Sequence, residues 1–476
     1  MAILTEKKEN IFEKIAFILL NVIVADLCIF GAGRLIEFGP LTFRMVLLVL
    51  LFVACIPLFF RNIKELLKSR YLQMVLIFGV LIVISTVIGF LNNNRTGLII
   101  TDIKGFIYFA FLPCVLVLLN SKKKIETVAK VSMYAATAQA IFHIILIGLY
   151  IVDVPWLNSF AEFSYDRRFF YISYRISAVN VRVSFLSLIC LLLGVAFSVY
   201  FTIKTTKKAF KIIYPVITAI CGFSLLMSYT RSVYLAVAAT VFALFVVLLI
   251  SITKEQKKAL LRHLAITFAA FAVIIAGFNI TTGENYFTYG LSRAFVGIDI
   301  FEDIMNSLNK SDDADDGAST DVEDGEDDSD EFDEEDEDAF YQNTVYSDNI
   351  RQLTVADLIK NIKKSPIIGL GLGAEIPSRP DGLNEYFFLD LFSKMGIIGL
   401  ISYLSPVIFM VIQLIQFLKR KNKAFLMISI WFCVLLGMMI YSYFTPCMNS
   451  SVGILPYCCI MAVFEFYKKT QTNSEG

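Results

Sequence analysis

The stretch FSLLMSYTRSVYLAVAATVF, residues 223–242, places one arginine, Arg231, inside a segment from 212 to 251 that is otherwise uncharged and mostly apolar. A single helix of about 40 residues would measure about 60 Å at 1.5 Å per residue, about twice the hydrocarbon thickness of a bilayer. The segment is therefore predicted to form two membrane-spanning helices, with Arg231 at the tip of the hairpin that joins them.

The whole chain has the composition of a polytopic membrane protein, because 57% of its 476 residues are hydrophobic and 43 are phenylalanine. Stretches of about 20 apolar residues recur along it, and no cleavable signal peptide is expected at its start. The predicted fold is all-α, with about twelve transmembrane helices and a large outer loop. The predicted spans are 15–30, 41–60, 71–91, 98–119, 128–152, 182–202, 212–229, 232–251, 261–279, 396–417, 424–444 and 450–467.

The spans divide the chain into three regions. Residues 1–279 form a nine-span membrane region, residues 280–395 an outer loop, and residues 396–476 a three-span region with a tail. Short lysine-rich loops such as SKKKIETVAK and TKEQKKALLR indicate the cytoplasmic side by the positive-inside rule. Both termini are therefore predicted to be cytoplasmic.

The outer loop combines a disordered and an ordered part. Residues 301–340 hold 20 acidic residues and one lysine, which leaves 22 acidic against 41 basic residues elsewhere. Such a segment cannot bury enough apolar surface to fold, so 308–340 is predicted to be a disordered acidic insertion. Apolar residues at helical spacing then predict an amphipathic helix over 347–364.

The two predicted sides of the membrane use different cations. Only four of the 25 basic residues on the cytoplasmic side are arginine, whereas eleven of the 17 on the outer side are. A guanidinium group can grip a phosphate or carboxylate with two parallel hydrogen bonds, so the outer set indicates an anion-binding surface. Alternatively, these side chains snorkel to the interface or balance the acidic insertion. They are Arg34, Arg44, Arg95, Arg167, Arg168, Arg175, Arg182, Arg231, Arg293, Arg351 and Arg379.

The stretch FSYDRRFFYISYR, residues 163–175, interleaves aromatic residues with arginines. Stacking on sugars and an interfacial aromatic belt both fit this pattern. No cofactor or metal site is expected, because the nine cysteines have no CxxC spacing and the chain has only two histidines.

Three stretches together resemble the O-antigen ligase and polymerase family. SYTRSVYLAVAATV resembles its arginine at the start of an outer span, and YRISAVNVRVSFLSL its arginine-led entry to a span. SPIIGLGLGAEI followed by LNEYFFLDLFSKMGIIGL resembles its proline-glycine turn and the helix after it. The resemblance implies a fold related to the membrane glycosyltransferases (GT-C-like) and a metal-independent transfer of glycan from undecaprenyl diphosphate.

The resemblance also implies roles for individual residues. Arg175 and Arg231 correspond to pyrophosphate-binding arginines at the catalytic centre. The family's histidine is absent, since either Leu383 or Glu385 stands at its position, and Glu385 is the substitute proposed as general base. The predicted substrate-binding residues are Arg182, Arg351, Asn384, Arg167 and Arg168.

The predicted reaction is the polymerisation of lipid-linked oligosaccharide repeat units into a surface polysaccharide at the bacterial plasma membrane. The implied partners are the lipid-linked donor, membrane lipid and a chain-length regulator, with no nucleic acid. Three alternatives stay open: a ligase that uses another acceptor, a transporter of lipid-linked glycan, and a non-catalytic assembly protein that uses the acidic insertion. A transporter is expected to contain two related halves, and no internal repeat is visible in the sequence.

Overall fold

The computed structural model describes residues 10–31, 35–38, 41–152, 154–167, 169–175, 177–282, 335–380, 384–420, 422 and 424–475. The helices are α1 Ile11–Phe30, α2 Phe43–Leu67, α3 Arg70–Leu91, α4 Thr96–Phe106, α5 Leu112–Leu118, α6 Lys122–Ile151, α7 Trp156–Asp166, α8 Leu191–Lys204, α9 Phe210–Leu226, α10 Arg231–Ser251, α11 Lys254–Thr282, α12 Glu335–Lys364, α13 Phe387–Lys419, α14 Phe425–Phe444 and α15 Ser451–Glu475. The strands are β1 Glu37–Phe38, β2 Leu41–Thr42, β3 Phe170–Arg175 and β4 Ser177–Phe185.

Within the described residues, nine helical segments are long and apolar enough to cross a membrane. They are Phe43–Leu67, Arg70–Leu91, Thr96–Leu118, Lys122–Ile151, Arg231–Ser251, Lys254–Thr281, Phe387–Lys419, Phe425–Phe444 and Ser451–Gln471. Each coincides with a predicted span, so the chain is an all-α polytopic membrane protein.

The other three predicted spans coincide with α1 and with two shorter apolar helices, Leu188–Lys204 and Phe210–Leu226. Helix α1 contains three charged residues, Glu13, Lys14 and Asp26. The count of twelve and the glycosyltransferase-like fold remain predictions.

Lipid-facing and protein-facing helices differ in how their apolar residues are used. Helix α11 keeps large apolar side chains outward, with Phe268 70% and Val273 71% exposed. In contrast, α10 and α14 pack closely, and Gly437 of α14 lies against Thr240 and the backbone of Ala236. Small residues allow such close approach of membrane helices.

The hairpin predicted around Arg231 is present. Helix α9 ends at Leu226 and α10 begins at Arg231, with Tyr229 between them in the left-handed region at φ 46°. Arg231 is therefore the first residue of a membrane helix, directly after the turn.

The start of the predicted span 182–202 is wrong, because residues 182–185 belong to β4 and helix begins only at Leu188. Valine alternates with other residues in the sequence SAVNVRVSF of β4, and this period of two favours a strand. Strand β4 pairs antiparallel with β3, where Val183 faces Ile172.

The outer-loop predictions are only partly covered by the described residues. Helix α12 runs from Glu335 to Lys364, so it begins inside the acidic insertion predicted for 308–340 and includes the helix predicted for 347–364. Residues 283–334, which hold the rest of that insertion, lie outside the described residues.

A break in α13 receives the segment 366–375, which we call the glycine loop. Gly396 has φ 63° inside this helix, so the regular backbone hydrogen bonds stop there. The amides of Leu370 and Gly371 donate to the carbonyls of Ser393 and Lys394, each at 2.9 Å. The amide of Ile397 donates to Pro366 at 2.9 Å.

The glycine loop also reaches down beside α3. The amide of Leu372 donates to the carbonyl of Ser85 at 3.0 Å. Ser85 precedes the end of α3 at Leu91 by six residues, a depth of about 9 Å. The loop thus joins α3 to the two halves of α13.

Replacing Gly396 with alanine is expected to destabilise the protein by more than about 2 kcal/mol. A Cβ atom at this position would sit at positive φ and overlap the carbonyl of Ile367. The measurement is the thermal midpoint of the detergent-purified protein. Gly79→Ala is the matched control, since a Cβ there meets nothing within 4 Å, and an equal loss in both variants would contradict the prediction.

Candidate functional site

Arg182 contacts the hairpin tip that carries Arg231. Arg182, in β4, donates from Nη2 to the hydroxyl of Thr230 at 2.9 Å, and Thr230 directly precedes Arg231. The Thr230 hydroxyl in turn donates to the carbonyl of Ser228 at 2.8 Å. Arg231 is half-buried at the first position of α10, where the free amides of a helix N-terminus also create positive potential.

A buried histidine holds β4 in this position. His143 of α6 is fully buried; its Nε2 lies 2.9 Å from the carbonyl of Val183 and its Nδ1 lies 2.6 Å from the hydroxyl of Ser224. Both ring nitrogens are engaged with the scaffold, and Val183 is the neighbour of Arg182. His143 therefore anchors β4 beside Arg182.

Glu385 sits between two arginines. Its Oε2 accepts from Nε of Arg351 at 2.8 Å, and its Oε1 accepts from Nη2 of Arg379 at 3.0 Å. Arg351 lies on α12 and Arg379 follows the glycine loop. One carboxylate thus ties α12 and the segment after the loop to the start of α13.

The hairpin tip and Glu385 lie at the same end of α14. Ser232, the residue after Arg231, hydrogen-bonds to Thr445 just beyond α14 at 3.3 Å. Tyr386, the residue after Glu385, packs its ring 5.9 Å from that of Tyr443, centroid to centroid. We call this end of the helix bundle the Arg231 end.

A cluster of three charged side chains lies beneath Glu385. Lys394 donates from Nζ to Oδ1 of Asp102 at 2.9 Å and to Oδ2 of Asp390 at 2.8 Å. Asn384 donates from its side-chain amide to Oδ1 of Asp390. The side chains of Lys394, Asp390 and Asp102 are 6%, 12% and 13% exposed, so two carboxylates share one ammonium group away from water.

Several other outer arginines are held by carboxylates of the ordered chain. Arg44 pairs with Asp26 at 2.6 Å, and Arg167 pairs with Glu37 at 3.3 Å and lies over the ring of Phe163. Arg95 pairs with Glu375. All three carboxylates lie outside the acidic insertion predicted for 308–340. The ion pairs described for these arginines therefore do not involve that insertion.

The remaining arginines named in the sequence analysis lie wholly or partly outside the residues that the structure describes. Arg168 is outside the described residues, as are Arg34 and Arg293. Arg175 is the last residue of β3, but its side chain is not described. Its predicted contact with a pyrophosphate stays a prediction.

Across the described ranges, no group of three His, Cys, Asp or Glu side chains has an arrangement that could hold a metal ion. All nine cysteines are buried and unlinked, which fits apolar packing within the bundle. Metal independence of the reaction remains a prediction.

Residues 216–404, about two-fifths of the chain, match the family model of the O-antigen ligase. The match assigns this region to the O-antigen ligase and polymerase family. It supports a glycosyltransferase-like function in surface polysaccharide synthesis, and the family implies a lipid-linked oligosaccharide as substrate. Among curated proteins, none matches the chain.

The matched O-antigen ligase region contains the hairpin tip, the glycine loop and the start of α13, and with them Arg231, Arg351, Asn384 and Glu385. Arg167, Arg175 and Arg182 precede it in the chain. The structure nevertheless places Arg182 beside the hairpin tip, so the site draws on residues from both sides of that boundary.

The sequence analysis did not predict the charged cluster of Lys394, Asp390 and Asp102. Asp390 and Lys394 stand four residues apart within an apolar helix, and Asp102 lies in the apolar run GLIITDIKGF. Ionisable residues in membrane segments are rare and carry a cost unless they are paired. Their positions in apolar segments therefore indicated that these residues need partners. The sequence alone does not show that the three side chains contact one another.

Lys394→Met is expected to destabilise the folded protein by about 3–5 kcal/mol, because it leaves two buried carboxylates without their shared cation. The fraction of monodisperse protein in detergent and its thermal midpoint measure the effect. Lys104→Met, at an exposed position of α4, serves as control. A Lys394→Met protein as stable as this control would show that the cluster does not depend on its lysine.

Proposed function

We propose that this protein polymerises lipid-linked oligosaccharide repeat units into a surface polysaccharide, with undecaprenyl diphosphate as the lipid carrier of the donor. The growing chain passes from its carrier to the end sugar of a new lipid-linked unit. The observation that carries the proposal is the contact of Arg182 with the hairpin tip of Arg231, which lies in the region that matches this family.

The hairpin tip suits the diphosphate of the donor. When the bond between the anomeric carbon and the diphosphate breaks, negative charge develops on the leaving phosphate oxygens. Arg182, Arg231 and the amides at the start of α10 supply positive potential in a half-buried place, where electrostatic stabilisation is stronger than in water. In this proposal, Arg175 of β3 also contacts the diphosphate.

Glu385 is proposed to take the proton from the acceptor hydroxyl. Each of its oxygens accepts one hydrogen bond from an arginine, which leaves lone pairs on the carboxylate that can accept the proton. In this proposal, Arg351 and Arg379 hold the carboxylate in place for this step.

The ligase alternative keeps the same donor site and changes the acceptor, and the family description favours it. The absence of the family's histidine from its expected position favours polymerisation instead. We assign Arg167, Arg168, Arg351 and Asn384 to substrate binding around the hairpin tip and Glu385. A chain-length regulator is proposed as a protein partner at the outer side.

The proposed location is the bacterial plasma membrane, with both termini in the cytoplasm and the Arg231 end outside. The lysine-rich loops support this orientation, since Lys204, Lys207 and Lys208 lie at the end of the bundle opposite to the hairpin tip. The carrier lipid is then held in the outer leaflet beside the apolar faces of the helices.

Arg231→Ala in the native host is expected to reduce the polysaccharide to single repeat units, with surface glycan resolved by gel and protein amount by immunoblot. Arg231→Lys is expected to restore only part of the chain length, because lysine keeps the charge and loses the planar fork. Arg262→Ala is the control, since Arg262 is exposed near the start of α11, at the opposite end.

The products distinguish the candidate functions. Long chains that remain on the carrier lipid in Arg231→Ala would indicate a ligase, and repeat units that do not reach the outer face would indicate a transporter. Long, normally attached chains in both Arg231 variants would contradict a role of this arginine in the transfer.

The orientation predicts which positions a membrane-impermeant maleimide reaches. Thr96→Cys, exposed at the Arg231 end, is expected to react in intact cells, and Lys258→Cys, exposed on α11 at the other end, only after the membrane is opened. The native cysteines give a low background because all nine are buried. The opposite labelling pattern would invert the orientation.

A further inference from the structure

Asp102 makes two contacts that use both of its carboxylate oxygens. Its Oδ2 accepts from the backbone amide of Gly373 in the glycine loop at 2.7 Å, and its Oδ1 accepts from Nζ of Lys394 in α13 at 2.9 Å. Asp102 itself lies on α4, before the region that matches the O-antigen ligase. One side chain from the first quarter of the protein therefore holds two segments of that region.

The first contact leads to Glu385 through the glycine loop. Beyond Gly373, the chain continues to Ile376, whose carbonyl accepts from the amide of Arg379 at 3.1 Å in a tight turn. Arg379 then donates to Oε1 of Glu385 at 3.0 Å. The position of the loop thus sets the position of one arginine that holds Glu385.

The second contact leads to Glu385 through the start of α13. Lys394 donates to Asp390, and Asp390 accepts from the side chain of Asn384, the neighbour of Glu385. Both routes start at Asp102 and end at Glu385. Together they connect the glycine loop and the start of α13, the two segments that flank Glu385.

The chemistry of these contacts requires a carboxylate. Gly373 and Lys394 both donate, so the residue between them needs two acceptor oxygens. An asparagine has one acceptor and would direct its NH₂ group at the other donor. Gly373 also packs closely against Ile99 of α4.

The charge balance of the cluster indicates that Asp102 can be neutralised without unfolding the protein. The cluster contains two carboxylates and one ammonium group, so it carries one excess negative charge. Asp102→Asn removes that excess and leaves the pair of Lys394 and Asp390 intact. Burial disfavours unbalanced charge, so the variant is expected to fold while it loses one anchor of the site.

We propose that Asp102 is a positioning residue for Glu385 in the glycosyl transfer; this inference rests on the proposed function. It acts on the reaction only by holding the glycine loop and the start of α13 in register. Its loss leaves Glu385 and both arginines in the chain but disturbs their geometry, and a misplacement of about 1 Å costs about 100-fold in rate.

A double-mutant cycle tests the proposal with full-length protein purified in detergent. Transfer is measured with undecaprenyl-diphosphate-linked repeat units extracted from the native host, per amount of monodisperse protein. Asp102→Asn is expected to lower the rate at least tenfold in the wild-type background. In the Glu385→Gln background the further loss is expected to stay below about twofold, because residues that act as a unit are non-additive.

Asp26→Asn is the matched control. Asp26 is also a buried carboxylate paired with a cation at the Arg231 end, but its contacts join α1 to Arg44 of α2. Asp26→Asn is expected to lower the transfer rate by the same factor in the wild-type and the Glu385→Gln backgrounds. If Asp102→Asn does not yield folded protein, Asp102→Glu replaces it, with the same expected pattern.

An equal loss in both backgrounds would assign Asp102 to general stability and overturn the proposal. Full activity of Asp102→Asn, or of Glu385→Gln, would overturn it as well. Arg231→Ala in the same assay tests the proposed function separately. Transfer that survives Arg231→Ala, or that is missing in the wild type, counts against the function itself.

Discussion

The backbone of a membrane-embedded segment must find all its hydrogen bonds within the protein, and this constraint organises the Arg231 end of the bundle. The break of α13 at Gly396 releases backbone groups that a straight helix would pair internally. The glycine loop satisfies them, with Leu370 and Gly371 donating to carbonyls before the break and Pro366 accepting from Ile397 after it. The loop and the break are therefore joined by backbone hydrogen bonds on both sides of Gly396.

The same packing decides where charge can be placed. Asp102, Lys394 and Asp390 lie beside the loop, mostly shielded from water, and their mutual contacts compensate part of the cost of burial. Glu385 stands above this cluster, closer to solvent, between Arg351 and Arg379. The site thus has a mostly buried charged cluster and, next to it, the more exposed ion pairs of Glu385.

Two centres follow from this arrangement, and their chemistry differs. At the hairpin tip, Arg182 and Arg231 lie beside the N-terminus of a membrane helix, so positive potential is concentrated there. At the start of α13, the carboxylate of Glu385 is paired with Arg351 and Arg379. One end of α14 contacts both places through Thr445 and Tyr443, so this helix is a common support of the two proposed centres.

The sequence by itself determined the class of protein, the helices of the membrane bundle and the turn before Arg231, because about 20 apolar residues must be continuous to cross a bilayer. It also indicated the family, since the arginine and glycine motifs are local. Only the tertiary structure decided that Asp102 reaches Gly373 and Lys394. Contacts across some 270 residues leave no periodic trace in a single sequence, because packing of distant segments, and not local propensity, brings these groups together.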